Sequence, residues 1–98
     1  MFDLSGKVAI VTGSTKGIGK SIAENMAALG AKVVISSRKP AACEKVADEI
    51  KAKGYEATAI PCHIGKKEAL ETLVAETITK YGKIDICLLY TSDAADEE

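Results

Sequence analysis

The chain is 98 residues long, 47% hydrophobic but only 4% aromatic, and its net charge is −1. That length allows one small domain with an aliphatic core, and a near-neutral charge provides no general attraction to nucleic acid or to an anionic membrane. No apolar run approaches the roughly 18 residues needed to cross a bilayer, and Met1-Phe2-Asp3-Leu4 lacks the basic and apolar stretches of a signal peptide. The three cysteines, Cys43, Cys62 and Cys87, have no C-x-x-C spacing and argue for neither zinc nor a disulfide framework. They fit a reducing, cytoplasmic setting.

The apolar run Val8-Ala9-Ile10-Val11 predicts a buried first strand, broken by glycines that open an amphipathic helix over residues 17–29. That helix places Ile18, Ile22, Met26 and Leu29 on one face, and Gly30 is a C-cap signal. Lys32-Val33-Val34-Ile35-Ser36 reads as a second strand. Pro40 suits the first turn of a second helix, which runs to about residue 53 with Cys43, Val46, Ala47 and Ile50 inward and Gly54 as its stop. A third strand covers residues 56–60 and ends at Pro61. A third helix covers residues 66–81 through Leu70, Leu73, Val74 and Ile78, and Gly82 terminates it. Ile84-Asp85-Ile86 begins a fourth strand. Strands alternating with helices of this length predict an α/β fold of parallel βαβ units with right-handed crossovers.

Thr12-Gly13-Ser14-Thr15-Lys16-Gly17-Ile18-Gly19 joins the first strand to the first helix. Strand, glycine turn, helix is the order that a dinucleotide site needs. Gly13 permits a sharp turn out of the strand, Gly17 leaves backbone N–H groups open to a pyrophosphate, and Gly19 allows the helix to pack close to the strand. The helix N-terminus then offers unsatisfied N–H groups and a favourable dipole to the anion. The gap between the first two glycines is wider than in G-x-G-x-x-G. In this, the run is similar to the cofactor motif of the short-chain dehydrogenases/reductases, and the resemblance extends from Leu4-Ser5-Gly6-Lys7 to about Ile86.

That resemblance implies a Rossmann-type doubly wound parallel sheet, here of about four strands in the order 3-2-1-4 with three helices. The end of the second strand reads Ser36-Ser37-Arg38-Lys39, with Ser37 where the NAD-type acid of the family would fall. An acid there would bond the ribose 2′-OH and repel a 2′-phosphate. Arg38 instead offers a forked pair of donors, and Lys16 adds a cation on the same side, so NADP(H) is expected over NAD(H). After the third strand, Cys62, His63 and Ile64 would border the adenine; the family usually has Asp or Asn where His63 stands, and a neutral imidazole is a possible acceptor in its place. The run from Ser36 through Lys66 resembles a branch of the family containing NADPH-dependent carbonyl reductases.

The family would continue Lys83-Ile84-Asp85-Ile86 with Leu-Val-x-Asn-Ala-Gly, whereas this chain continues Cys87-Leu88-Leu89-Tyr90-Thr91-Ser92-Asp93-Ala94-Ala95-Asp96-Glu97-Glu98. Four acids and no base fall within residues 87–98, while 13 basic residues against ten acids leave residues 1–86 at +3. The segment resembles a translated library adapter. The expected division is therefore a cofactor-binding half-domain over residues 1–86 and a non-native tail over residues 87–98. The resemblance implies a catalytic Ser, a Tyr-x-x-x-Lys pair and an Asn, with the tyrosine as general acid/base. Tyr55, Tyr81 and Tyr90 are followed four residues on by Ala59, Asp85 and Ala94, so none has the lysine. No residue is assigned a catalytic role and none a metal.

The expected cofactor residues are Gly13, Ser14, Thr15, Lys16, Gly17, Ile18 and Gly19 around the pyrophosphate, Ser37, Arg38 and Lys39 around the 2′-phosphate, and Cys62, His63 and Ile64 at the adenine. The reading is the amino-terminal part of an NADP(H)-dependent oxidoreductase that acts on a small carbonyl or alcohol, inactive by itself, from a parent that forms homo-oligomers. The alternative is a non-catalytic NADP(H)-sensing module. Nucleic-acid and membrane partners are not expected, because the basic residues alternate with acids along the helices.

Overall fold

The structure, a computed structural model, describes residues 3–13, 17–62 and 66–88. Four parallel strands, β1 (Val8–Thr12), β2 (Lys32–Ser36), β3 (Ala57–Ala59) and β4 (Ile86–Leu88), form one sheet in the order β3-β2-β1-β4. Between them run α1 (Gly17–Ala28), α2 (Pro40–Ala52) and α3 (Lys67–Tyr81). The fold is Rossmann-like, as the alternation of elements predicts.

Every residue of β1 is buried, because the strand has a neighbour on each side and helices against both faces. Side chains alternate across a strand. Ala9, Val11, Val33 and Ile35 therefore point to the layer of α1 and α2, while Ile10 and Val34 point to the layer of α3. Two crossovers on one face carry the chain from β1 outward to β3. The third crossover, on the opposite face, returns it past β1 to β4. The direction of winding thus reverses between β1 and β4, and in open parallel sheets ligands bind in the crevice beyond the strand ends at such a point.

The predicted inward face of α2 holds: Cys43, Val46, Ala47 and Ile50 are all buried. Two other faces differ from expectation. In α1 the buried stripe is Gly19, Ala23 and Ala27, with Ile22 and Met26 half-buried and Ile18 and Leu29 exposed. Small residues at four-residue spacing bring the helix axis close to the sheet, and the large residues are displaced to its flanks. In α3 the buried pair is Leu73 and Thr77, while Val74 and Ile78 are exposed. Thr77 is tolerated inside because its hydroxyl donates to the Leu73 carbonyl at 2.8 Å, which leaves no orphaned polar atom. The strand limits also shift. β3 is three residues long, and β4 begins at Ile86 because the residues before it dock by Asp85: the Asp85 N–H donates to the Val8 carbonyl at 2.9 Å, and the Asp85 carboxylate accepts the Val8 N–H at 2.9 Å. Cys87 and Leu88, beyond the expected boundary at residue 86, pair with Ile10 and Val11 as part of β4.

Candidate coenzyme site

Parallel register brings three loop starts to one edge of the sheet. Thr12 lies opposite Ser36, Ile35 opposite Ala59, and Val11 opposite Leu88. The turn after β1, the segment 37–39 after β2 and the segment 60–62 after β3 are therefore neighbours in that sequence across the carboxyl end. Ser14, Thr15 and Lys16 of the first segment and His63 and Ile64 of the third lie outside the described residues.

At the turn, Gly13 is half-buried with φ 66°, and Gly17 is exposed with φ 56°. Both values fall in the left-handed region, which is why the motif needs glycine at these two points. A Cβ built on Gly17 meets nothing within 4 Å. The space beside Gly17 at the start of α1 is therefore open among the described residues. Gly19 is buried against the sheet, and Ile18 is 62% exposed. The first turns of α1 and α2 contain no acid, whereas α3 carries Glu68 in its own. Two uncompensated positive helix ends therefore stand at this edge. Lys20, in the first turn of α1, pairs with Glu49 of α2 at 3.3 Å and ties the two helices together. On the other side of β1, the Thr12 hydroxyl donates to the Leu88 carbonyl at 3.3 Å, closing the sheet where the winding reverses.

Arg38 and Lys39 are exposed between β2 and α2, and Ser37 is half-buried. The Ser37 hydroxyl accepts the Lys39 N–H at 3.1 Å and lies 3.3 Å from Cys43 Sγ. The Ser37 carbonyl accepts the Cys62 N–H at 2.9 Å and faces the Cys43 thiol at 3.7 Å. Cys62 itself is buried in the apolar cluster with Ile10, Val34, Ile60 and Leu73. Its backbone braces the edge, and burial pushes its thiol up from the ordinary cysteine range. Sequence reasoning missed this convergence on Ser37. The local half had a signal, since a serine three residues before the first residue of a proline-led helix is placed to accept an N–H of the entering turn. The link to Cys62 joins segments that only the sheet brings together.

A separate open groove of about 410 Å³ runs between the outer side of β3 and α3, lined by Thr58, Ala59, Ile60, Ala75, Glu76, Thr79 and Lys80. It lies along the flank of the sheet, away from the turn between β1 and α1. Among the described residues no group of three or more His, Cys, Asp or Glu is placed to hold a metal ion, and no helix is long and apolar enough to cross a membrane.

A glycine-flanked connection from an inner strand to the first helix of a doubly wound parallel sheet is the arrangement of Rossmann-like α/β proteins. Within that class the profile of the short chain dehydrogenases matches residues 7–91, and the chain belongs to this family. The match passes the expected boundary at residue 86. The chain is 49% identical over 83 residues to the short-chain dehydrogenase/reductase SDRA of Arabidopsis thaliana, an alignment covering 85% of this chain and 33% of that protein. Among solved structures, a 7α-hydroxysteroid dehydrogenase complexed with NADH and 7-oxo glycochenodeoxycholic acid superposes with a TM-score of 0.84 at 44% identity, over 87% of this chain and 33% of that one. A metagenomic short-chain oxidoreductase in complex with NADP superposes with a TM-score of 0.85 at 32% identity, over 91% of this chain and 40% of that one. The chain spans about a third of the length of the curated relatives it matches.

Proposed function

We propose that this chain is the coenzyme-holding part of an NADP(H)-dependent oxidoreductase that transfers hydride between the coenzyme and a small carbonyl or alcohol. The observation that carries the reading is the register of β1 and β2. It sets Gly13, at the end of β1, beside a segment, Ser37-Arg38-Lys39, that holds two cations and no acid. In this reading the pyrophosphate lies on the first turn of α1, with Gly13, Ser14, Thr15, Gly17, Ile18 and Gly19 around it. Arg38, with Lys16 and Lys39, takes the 2′-phosphate, Ser37 holds that segment, and Cys62, His63 and Ile64 border the adenine. The coenzyme supplies the hydride chemistry, and this chain supplies binding and orientation. Relatives complexed with NADP and with NADH both exist, so the preference rests on Arg38 and on the absent acid.

We further assign residues 1–86 to the coenzyme-binding half-domain and residues 87–98 to a foreign tail, on the departure from Leu-Val-x-Asn-Ala-Gly after Ile86 and the run of acids from Asp93 onward; against that boundary stand the pairing of Cys87 and Leu88 in β4 and the family match to residue 91. The parent protein is assigned to the cytoplasm as a homo-oligomer. No Tyr-x-x-x-Lys occurs in the chain, so the expected turnover of the chain alone is zero. That same absence supports a second reading, a module that senses NADP(H) without reducing anything. Extending the gene sequence past Ile86 separates the two, since the oxidoreductase requires Asn-Ala-Gly and then Ser and Tyr-x-x-x-Lys. For the coenzyme itself the test is Arg38→Ala, with NADPH and NADH titrated separately. The substitution weakens NADPH by about 1.5–3 kcal/mol, the range for losing a charged hydrogen-bonding partner, and leaves NADH nearly unchanged. Equal weakening of both coenzymes would remove the assignment of Arg38 to the phosphate.

A further inference from the structure

We infer that Cys43 is a positioning residue for coenzyme discrimination: from inside the core it holds Ser37, and through Ser37 it fixes the presentation of Arg38 and Lys39. The inference rests on the assignment of those two cations to the 2′-phosphate.

Cys43 is fully buried on the inner face of α2, one turn after Pro40. A residue there needs only to fill space against the sheet, and its neighbours in the cluster, Val46, Ala47 and Ile50, do no more. Cys43 differs from them in carrying a proton donor. Burial raises its thiol above the ordinary cysteine range, so it stays protonated at neutral pH. Its sulfur is within reach of two Ser37 oxygens, the hydroxyl at 3.3 Å and the carbonyl at 3.7 Å. Those oxygens also accept the Lys39 and Cys62 N–H groups. Ser37 is thus held from α2, from the entering turn of α2 and from the end of β3, and Arg38 lies between two fixed residues. A segment ordered before binding loses less conformational freedom when it meets its ligand. Arg38 and Lys39 serve only the phosphorylated coenzyme, so loosening Ser37 lowers NADPH affinity selectively. A packing defect, by contrast, weakens both coenzymes together.

The test uses the full chain with Cys43→Ser, Cys43→Ala and Cys43→Val, reading dissociation constants for NADPH and NADH and hydrogen-exchange protection of the Lys39 and Cys62 amides. Cys43→Ser retains a donor and keeps the NADPH-to-NADH preference within about twofold of the parent. Cys43→Ala removes the sulfur and Cys43→Val adds about one methyl group, so the two bracket the volume of the parent, yet both lower the preference roughly fivefold, about the worth of one hydrogen bond. In both, protection of the two amides falls while NADH affinity holds. If Cys43→Val leaves the preference intact in a chain where Arg38→Ala abolishes it, the positioning role is overturned and the phosphate assignment stands. Equal loss of NADPH and NADH affinity in Cys43→Val assigns the residue to packing and also overturns the role. A parent chain that binds both coenzymes equally overturns the NADP(H) reading, and this inference with it.

Discussion

On the face of the sheet covered by α1 and α2, twelve buried residues from β1, β2, β3, both helices and the Ala31 turn before β2 form one cluster, whereas on the α3 face five do, among the described residues. The first face is closed by two helices: the small inward residues of α1 bring it close to the sheet, and α2 fills the rest with Cys43, Val46, Ala47 and Ile50. The second is spanned by one helix that leaves Val74 39% and Ile78 46% exposed, with Leu70, Ile84 and Tyr81 only half-buried. The contrast follows from chirality. Two right-handed crossovers running in one direction must share a face, and the single crossover running back must take the other. The glycine turn after β1 and the Ser37 segment after β2 lead into the two helices of the larger cluster, whereas Cys62, which meets Ser37 through its N–H, belongs to the smaller one.

Truncations on the two faces break this comparison most directly. Ile35→Ala empties a fully buried site between β1 and β3 on the α1/α2 face and lowers unfolding free energy by about 4 kcal/mol. Leu73→Ala on the α3 face costs about 2–3 kcal/mol, since a thinner layer relaxes more easily into the space. Ile78→Ala stays within about 0.5 kcal/mol of the parent. Denaturant unfolding of the three variants measures all three values, and an equal cost for Ile35 and Leu73 would show the two layers to be equivalent.

The helix ends sharpen the same contrast. Gly30 after α1 has φ 106°, and a Cβ there would stand 2.8 Å from Ser5 Oγ and 3.0 Å from Ser5 Cα and N. The strap that closes on it is held by the Leu4 N–H to the Leu29 carbonyl at 2.8 Å, and the Asp3 carboxylate accepts the Ser5 N–H at 2.9 Å and its hydroxyl at 2.6 Å. Gly82 after α3 has φ 85°, gives its N–H to Ile78 at 2.7 Å, and a Cβ there meets nothing within 4 Å. Gly30→Ala therefore combines a strained φ with a backbone clash and costs about 2–3 kcal/mol, against about 1 kcal/mol for the φ alone in Gly82→Ala. Thermal melts of the two variants rank them.

The smallest effect concerns β4, which holds the open side of the winding reversal. The Val8 N–H, and after it Lys83 at 3.1 Å, keep the Asp85 carboxyl below the ordinary aspartate range. A carboxylate lowered in the native state contributes stability that is present above its unfolded value and is lost as pH falls through the native one. Asp85→Asn therefore removes part of the acid-side fall in stability while leaving the curve at neutral pH nearly parallel to that of the parent. Unfolding midpoints measured across the acid range give this slope, and an unchanged slope would mean that the pairing of Asp85 with β1 is not coupled to folding.

Much of the fold was legible because glycine and proline mark its joints. Gly13, Gly17, Gly30, Pro40, Gly54 and Gly82 bound elements at or within a residue or two of their observed limits, and the alternation of strands and helices implied parallel pairing. The glycine turn and the Ser37-Arg38-Lys39 segment were singled out from the sequence, and the register of β1 with β2 sets the strand ends that lead into them side by side. What periodicity could not decide was which part of a broad apolar arc turns inward. In α1, Ile18, Ile22, Met26 and Leu29 fit one stripe on paper, but close approach to the sheet selects Gly19, Ala23 and Ala27 instead. In α3 a threonine displaces Val74 and Ile78 from the interior because its hydroxyl is satisfied within its own helix.

Order along the chain thus determined the elements, their sequence and the glycine turn, because these depend on local φ/ψ freedom and on the period of apolar residues. Depth and convergence were decided only in three dimensions. How near a helix can come to a sheet depends on the side chains of both, and Cys43 and Cys62 meet at Ser37 only after β2, α2 and β3 have packed.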